Sequence, residues 1–137
     1  MTDYNFKKGE RLKSRKTIEL LFSKGQSFSQ YPLRLVWTKT DSPPSPYPVQ
    51  FTVSVSKRRF PRAVRRNRIK RQLREAYRLN KPLLYEGLDK EENQFAFMII
   101  YTGKEALPTK DIQKAMKKCI LKFLKIWQTK DDSTNPS

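Results

Sequence analysis

Alternation is cleanest over residues 49–56, where Val49, Phe51, Val53 and Val55 take one set of positions and Gln50, Thr52, Ser54 and Ser56 the other. A period of two puts these sets on opposite faces of a pleated strand, so the segment is predicted as half-buried with a neutral, hydrogen-bonding open face. Residues 33–38, LRLVWT, are apolar and β-branched enough for another strand. Residues 95–101, FAFMIIY, form a nearly continuous apolar run that suits a central strand, ended by Gly103.

Elsewhere the spacing changes to three and four. In residues 14–24, Ile18, Leu21 and Phe22 fall at helical spacing, with Ser14 or Thr17 as the cap and Gly25 as the stop. Ile69, Leu73, Ala76 and Tyr77 predict a helix over residues 62–79, with Pro61 at its start and Pro82 at its end. Thr109 and Asp111 open a last helix, whose stripe of Ile112, Ala115, Met116, Cys119, Ile120, Phe123, Leu124 and Trp127 reads as core packing. The four prolines of residues 41–48 mark a hairpin loop or connector, and residues 86–93 a second loop. The predicted order is α, β, β or a longer hairpin region, α, β, α. That order describes one α+β sandwich over residues 1–127, in which the strand after the basic helix pairs beside the strand before it, with a polar, disordered tail at residues 128–137.

Composition agrees with a single core: 137 residues, 36% hydrophobic, carry eight Phe, six Tyr and two Trp. Cys119 is the only cysteine and histidine is absent. An internal disulfide, a Cys/His zinc site and a His-dependent triad are thereby excluded. The chain has no apolar run of membrane-spanning length and no apolar segment of a secretory signal near its start, so a cytoplasmic protein is expected.

Charge changes the picture most. Thirty Lys and Arg oppose thirteen Asp and Glu, for a net +17, an excess tolerated when a partner supplies negative charge. Between Lys57 and Arg78 there are eleven basic residues and one acid, Glu75. Asn67, Arg71, Arg74 and Arg78 form a strip opposite the apolar face, flanked by Arg68 and Lys70. Solvated helix faces usually mix signs, because like charges four residues apart repel. Here Arg71 has only Glu75 at that spacing, which favours a polyanion. Arginine's bidentate fit to phosphate favours nucleic acid, and a membrane is disfavoured because the core needs the helix's apolar side. The row Gln50, Thr52, Ser54 and Ser56, with Phe22 as a stacking surface, favours unpaired RNA, although composition alone places Phe22 in the core. Clustered carboxylates for two-metal chemistry are lacking beside the basic helix.

The segment SVSKRRFPRAVRRNRIKRQLREAYR, residues 54–78, resembles the signature of the bacterial ribonuclease P protein component: Arg66-Asn67-Arg68, then Lys70-Arg71 on an arginine-rich helix. The likeness extends to ERLKSRKTIELLFSKG near the start and to the element order over roughly residues 8–127. The resemblance implies an α-β sandwich, a small mixed sheet of about four strands with three helices and a left-handed βαβ crossover like that of a ribosomal-protein domain. It further implies an accessory subunit of a ribonucleoprotein endoribonuclease. Such a subunit binds the catalytic RNA and the 5′ leader of precursor tRNA, while that RNA, holding most of the Mg²⁺, carries out the hydrolysis, with no catalytic residue or organic cofactor in the protein. Arg62, Arg65, Arg66, Asn67, Arg68, Lys70, Arg71 and Arg74 would meet the catalytic RNA. Phe22, Gln50, Thr52, Ser54, Ser56 and Lys57 would form the leader cleft. Where the family has Gly-Asn before Ala-Val, this chain has Phe60-Pro61-Arg62, and Ile18 stands at an aromatic position of the first helix. The competing readings are a structural RNA-binding protein, such as a ribosomal protein or RNA chaperone, and a protein-only nuclease.

Overall fold

A computed structural model describes residues 10–40, 47–88 and 94–133, with side chains to Gln128. Its elements are α1 (Arg15–Lys24), β1 (Gln26–Gln30), β2 (Leu33–Thr40), β3 (Val49–Val55), α2 (Ala63–Gly87), β4 (Gln94–Tyr101) and α3 (Thr109–Ser133). The proline-rich segment and the second predicted loop lie largely outside the described residues, as do residues 134–137.

One four-stranded sheet runs β1-β2-β4-β3. β1 and β2 are antiparallel, β2 and β4 antiparallel, and β3 and β4 parallel, so the strands on either side of the basic helix do lie side by side. The central place of β4 follows from its composition. Five consecutive residues, Phe95 to Ile99, are buried, which only a strand covered on both faces can accommodate.

The period-two pattern divides the core into two. Leu33, Leu35 and Trp37 of β2, Val49, Phe51, Val53 and Val55 of β3, and Phe95, Phe97, Ile99 and Tyr101 of β4 face α2 and α3 in the larger cluster. Its centre is aromatic: Trp37 and Phe123 meet edge to face with centroids 5.0 Å apart, and Phe51 stacks on Tyr77 at 3.8 Å. Val36, Ala96 and Met98 face the other way and pack with Leu12 and Leu21 beneath α1.

Four sequence expectations change. β1 was not predicted, because QSFSQ is polar and only Phe28 packs inward. It forms the hairpin with β2, whereas β4 separates β2 from β3, so residues 41–48 connect non-neighbouring strands and are no hairpin loop. α2 does not stop at Leu79 but carries Pro82 inside it and continues to Gly87. An interior proline costs a backbone hydrogen bond and crowds the preceding turn. The continuation buries Lys81 and Leu84 and brings Gly87 so close to α3 that a Cβ there would lie 2.6 Å from Leu124 Cδ2. Finally, α3 runs to Ser133, into the segment expected to be tail, where no Gly or Pro interrupts the helix.

At α1 the expected cap is present: Ser14 Oγ accepts from the Thr17 amide at 3.3 Å. Gly25 ends the helix in an extended conformation, φ −67°, not a left-handed one. Its requirement is space, since a Cβ would sit 2.3 Å from the Leu21 carbonyl oxygen.

Candidate nucleic-acid interface

α2 sorts its residues by period. Ile69, Leu73, Ala76 and Tyr77 are buried, while Arg65, Asn67, Arg68, Arg71 and Arg74 are exposed and Lys70 is half-buried. Arg62 is exposed at the N-cap position, where no side chain caps the helix. Glu75, the one acid between Lys57 and Arg78, is engaged within the helix, though with Arg78 and not the anticipated Arg71. Arg78 Nε and Nη2 donate to Glu75 Oε2 and Oε1 at 3.0 and 2.6 Å. The hydrogen bond from Arg78 holds the Glu75 carboxyl below its ordinary range. The other acid of α2, Glu86, lies twelve residues beyond Arg74, so no free acid of the helix stands within a turn of Arg65, Arg68, Arg71 or Arg74.

The turn leading into α2 is built by its own residues. Ser56 Oγ accepts from the Arg58 and Arg59 amides at 3.1 and 3.3 Å, and its carbonyl accepts from the Phe60 amide at 3.0 Å. Phe60 is buried against Tyr101, with ring centroids 5.9 Å apart. Arg59 donates to the Thr102 carbonyl. Arg66 Nη1 donates back to the carbonyls of Phe60 and Pro61, each at 2.9 Å. Arg66 thus fixes the turn that aims its neighbours, and the exposed Ser56 hydroxyl oxygen accepts within the same turn. Arg59, Phe60, Pro61, Arg62 and Arg65 surround a concavity of about 430 Å³.

Of the second predicted group, Gln50, Thr52 and Ser54 are half-buried and in register with Ala96, Met98 and Ile100 of β4, on the sheet face that carries α1. Lys57 is exposed beyond the end of the strand. Phe22 is 67% exposed, so its composition-based assignment to the core is overturned, while Ile18 packs against the smaller core. The outer edge of β3 is partly covered: Arg11 bridges to Phe51, and the Leu12 amide donates to the Phe51 carbonyl at 2.9 Å.

That covering segment is anchored by a buried polar cluster absent from the sequence reading. Lys81 Nζ lies 3.0 Å from Glu10 Oε1, and Tyr85 OH donates to Glu10 Oε2. Burial pushes the Tyr77 and Tyr85 phenols well above their ordinary range. The signal was the four-residue spacing of Tyr77, Lys81 and Tyr85, hidden by taking Pro82 as the helix end.

Among the described residues, no three or more Cys, Asp or Glu side chains gather as a metal cage. No helix among them is long and apolar enough to cross a membrane.

The sequence matches the family described as Ribonuclease P over residues 6–124. It is 39% identical over 120 residues to the "Ribonuclease P protein component" of Porphyromonas gingivalis, spanning 88% of this chain and 87% of that one. It is 34% identical to the protein of the same description from Chlorobaculum tepidum, spanning 85% and 80%. The fold is similar to the ribonuclease P protein of Staphylococcus aureus, with TM-score 0.61, 22% identity and coverage of 83% and 94%. The Thermotoga maritima protein superposes with TM-score 0.63, 22% identity and coverage of 81% and 94%.

Proposed function

The chain belongs to the ribonuclease P protein family, and we propose that it serves as the protein subunit of ribonuclease P in the endonucleolytic removal of the 5′ leader from precursor tRNA. The observation that carries this reading is the exposed cationic strip of α2 from Arg62 to Arg78, where the one carboxylate, Glu75, is already held by Arg78.

Arg62, Arg65, Arg68, Arg71 and Arg74 contact phosphates of the catalytic RNA, and Asn67 adds an amide that donates and accepts. Lys70 reaches the same surface from its half-buried position. Arg66 acts chiefly by holding the turn, so that its neighbours meet the RNA in fixed register. Gln50, Thr52 and Ser54 offer neutral hydrogen-bonding groups, Phe22 a ring and Lys57 a charge to the unpaired leader. This combination tolerates sequence, because every base has a π-face. The hydrolysis is assigned to the RNA together with most of the Mg²⁺, as in the ribonucleoprotein reading of this family.

The test is reconstitution. The purified chain, added to ribonuclease P RNA and precursor tRNA at low Mg²⁺, should raise the rate of 5′ maturation over RNA alone. No stimulation would overturn the reading, and cleavage by the protein without RNA would replace it with a protein nuclease.

A further inference from the structure

α3 carries a second basic surface that the function above leaves unused. Six lysines and one acid, Asp111, lie between Lys110 and Lys125. At 100° per residue the six fall within an arc of about 140°, opposite the buried Ile112, Met116, Cys119 and Phe123. Lys110, Lys114 and Lys118 follow one another at steps of four, where like charges repel. Among the described residues, none of Lys110, Lys114, Lys117, Lys118 and Lys125 makes an ion pair.

Two observations give this face a shape. At one flank Lys122 lies over the Phe28 ring, 4.8 Å from its centroid, joining the helix to the polar edge strand β1. Near the start of α3, Lys114 and Lys118 border a concavity of about 310 Å³ together with Tyr31, which is 66% exposed. The surface is also distinct in chemistry from α2: its basic residues are all lysines, compact point charges without arginine's bidentate fork, and its one acid, Asp111, lines the concavity beside Lys114. From Lys110 to Lys125 it spans about 22 Å, enough for several successive phosphates.

We propose that the lysine face of α3, with the Tyr31 concavity at one end, is a second RNA-contacting surface that holds the phosphate backbone of a double-helical RNA segment. A single strand would need a row of exposed rings, and Tyr31 is the one large exposed aromatic here. Duplex RNA is held through its shape and backbone, which point charges along a rigid rod can follow. A membrane would need apolar residues beside the lysines, and Leu121 is the one apolar residue exposed among them. The proposal rests on the reading of the chain as an RNA-binding subunit and extends it to a second site.

The test uses the full chain and the combined variant Lys114→Gln, Lys117→Gln and Lys118→Gln, which keeps helix propensity close to that of lysine. Affinity for an arbitrary 20-base-pair RNA duplex and for an unstructured RNA of equal length is measured across a salt series. On the duplex, the slope of log affinity against log salt should fall by about two to three units, with little change on the single strand. An unchanged duplex slope in a variant that melts like the wild type overturns the proposal, and equal losses on both probes overturn the duplex assignment. Stimulation of ribonuclease P RNA by the unaltered chain is scored separately, so a failure of the proposed function is distinguishable from a failure of the α3 site.

Discussion

Lys81 and Glu10, 71 positions apart, form an ion pair of 3.0 Å with side-chain exposures of 3% and 0%. Glu10 precedes α1, and Lys81 sits in the part of α2 that follows the arginine strip. The pair therefore ties the segment along the outer edge of β3 to the basic helix.

Glu10→Ala should destabilise the fold by about 3–5 kcal/mol, because it leaves the buried ammonium without its carboxylate. It also removes the acceptor of the Tyr85 hydroxyl. The double change Glu10→Gln with Lys81→Met, which removes both charges, should recover a large part of that loss. Urea unfolding of the three proteins checks this, and a shift below about 1 kcal/mol for Glu10→Ala would show that the pair does not hold the segment.

Arg66 and Arg68 stand two residues apart but should respond differently to alanine. Arg66 donates to the Phe60 and Pro61 carbonyls, so its loss should cost about 1–2 kcal/mol and lower the melting temperature by several degrees. Arg68 is exposed with no bond of that kind, and Arg68→Ala should leave melting unchanged while reducing the salt slope of RNA binding by about one unit. Equal melting temperatures would mean that the two carbonyl contacts contribute nothing to the turn.

What the sequence disclosed depended on how locally each feature is encoded. The alternation of Val49, Phe51, Val53 and Val55 and the separation of Ile69 and Leu73 from Arg71 and Arg74 are properties of single elements, and both recur in the structure. β1 was missed because its place comes from register with β2, Phe28 opposite Leu35, and not from its own composition. Pro82 misled because packing of Leu84 and Gly87 against α3 outweighs a local breaking preference. The bonds from Arg66 to the Phe60 and Pro61 carbonyls were not legible, because residue type alone does not show which guanidinium reaches back to its own turn.

Cys119 should be inert in the folded protein. Burial pushes its thiol up to about 12, well above the ordinary thiol range, despite the nearby positive charge of Lys122. Iodoacetamide at pH 8 should therefore label the unfolded chain and leave the native one almost unmodified. The stability consequence has a definite sign. Between the ordinary thiol range and about pH 12, the unfolded chain releases a proton that the folded chain retains, so stability should fall as pH rises through that window. Buried Tyr77 and Tyr85 act in the same direction from about pH 10 upward, where the phenols of the unfolded chain ionise and those of the folded chain stay protonated. Comparison with Cys119→Ala isolates the thiol's share, and rapid native labelling would contradict its burial.

Phe22 separates a binding role from a packing role most directly. At 67% exposure it buries little area, so Phe22→Ala should shift stability by no more than about 0.5 kcal/mol. A base stacked on the ring would lose about 1–3 kcal/mol, so affinity for an unpaired 5′ leader should fall by about fivefold or more. Phe22→Tyr keeps the ring face and should retain most of that affinity, whereas Phe22→Leu keeps apolar bulk without a π-face and should behave like alanine. Binding to ribonuclease P RNA alone should stay near wild type in all three variants, since Phe22 lies on α1 and the arginine strip on α2. Leader affinity unchanged in Phe22→Ala would remove this ring from the leader cleft, and a drop in melting temperature without a change in binding would return it to packing.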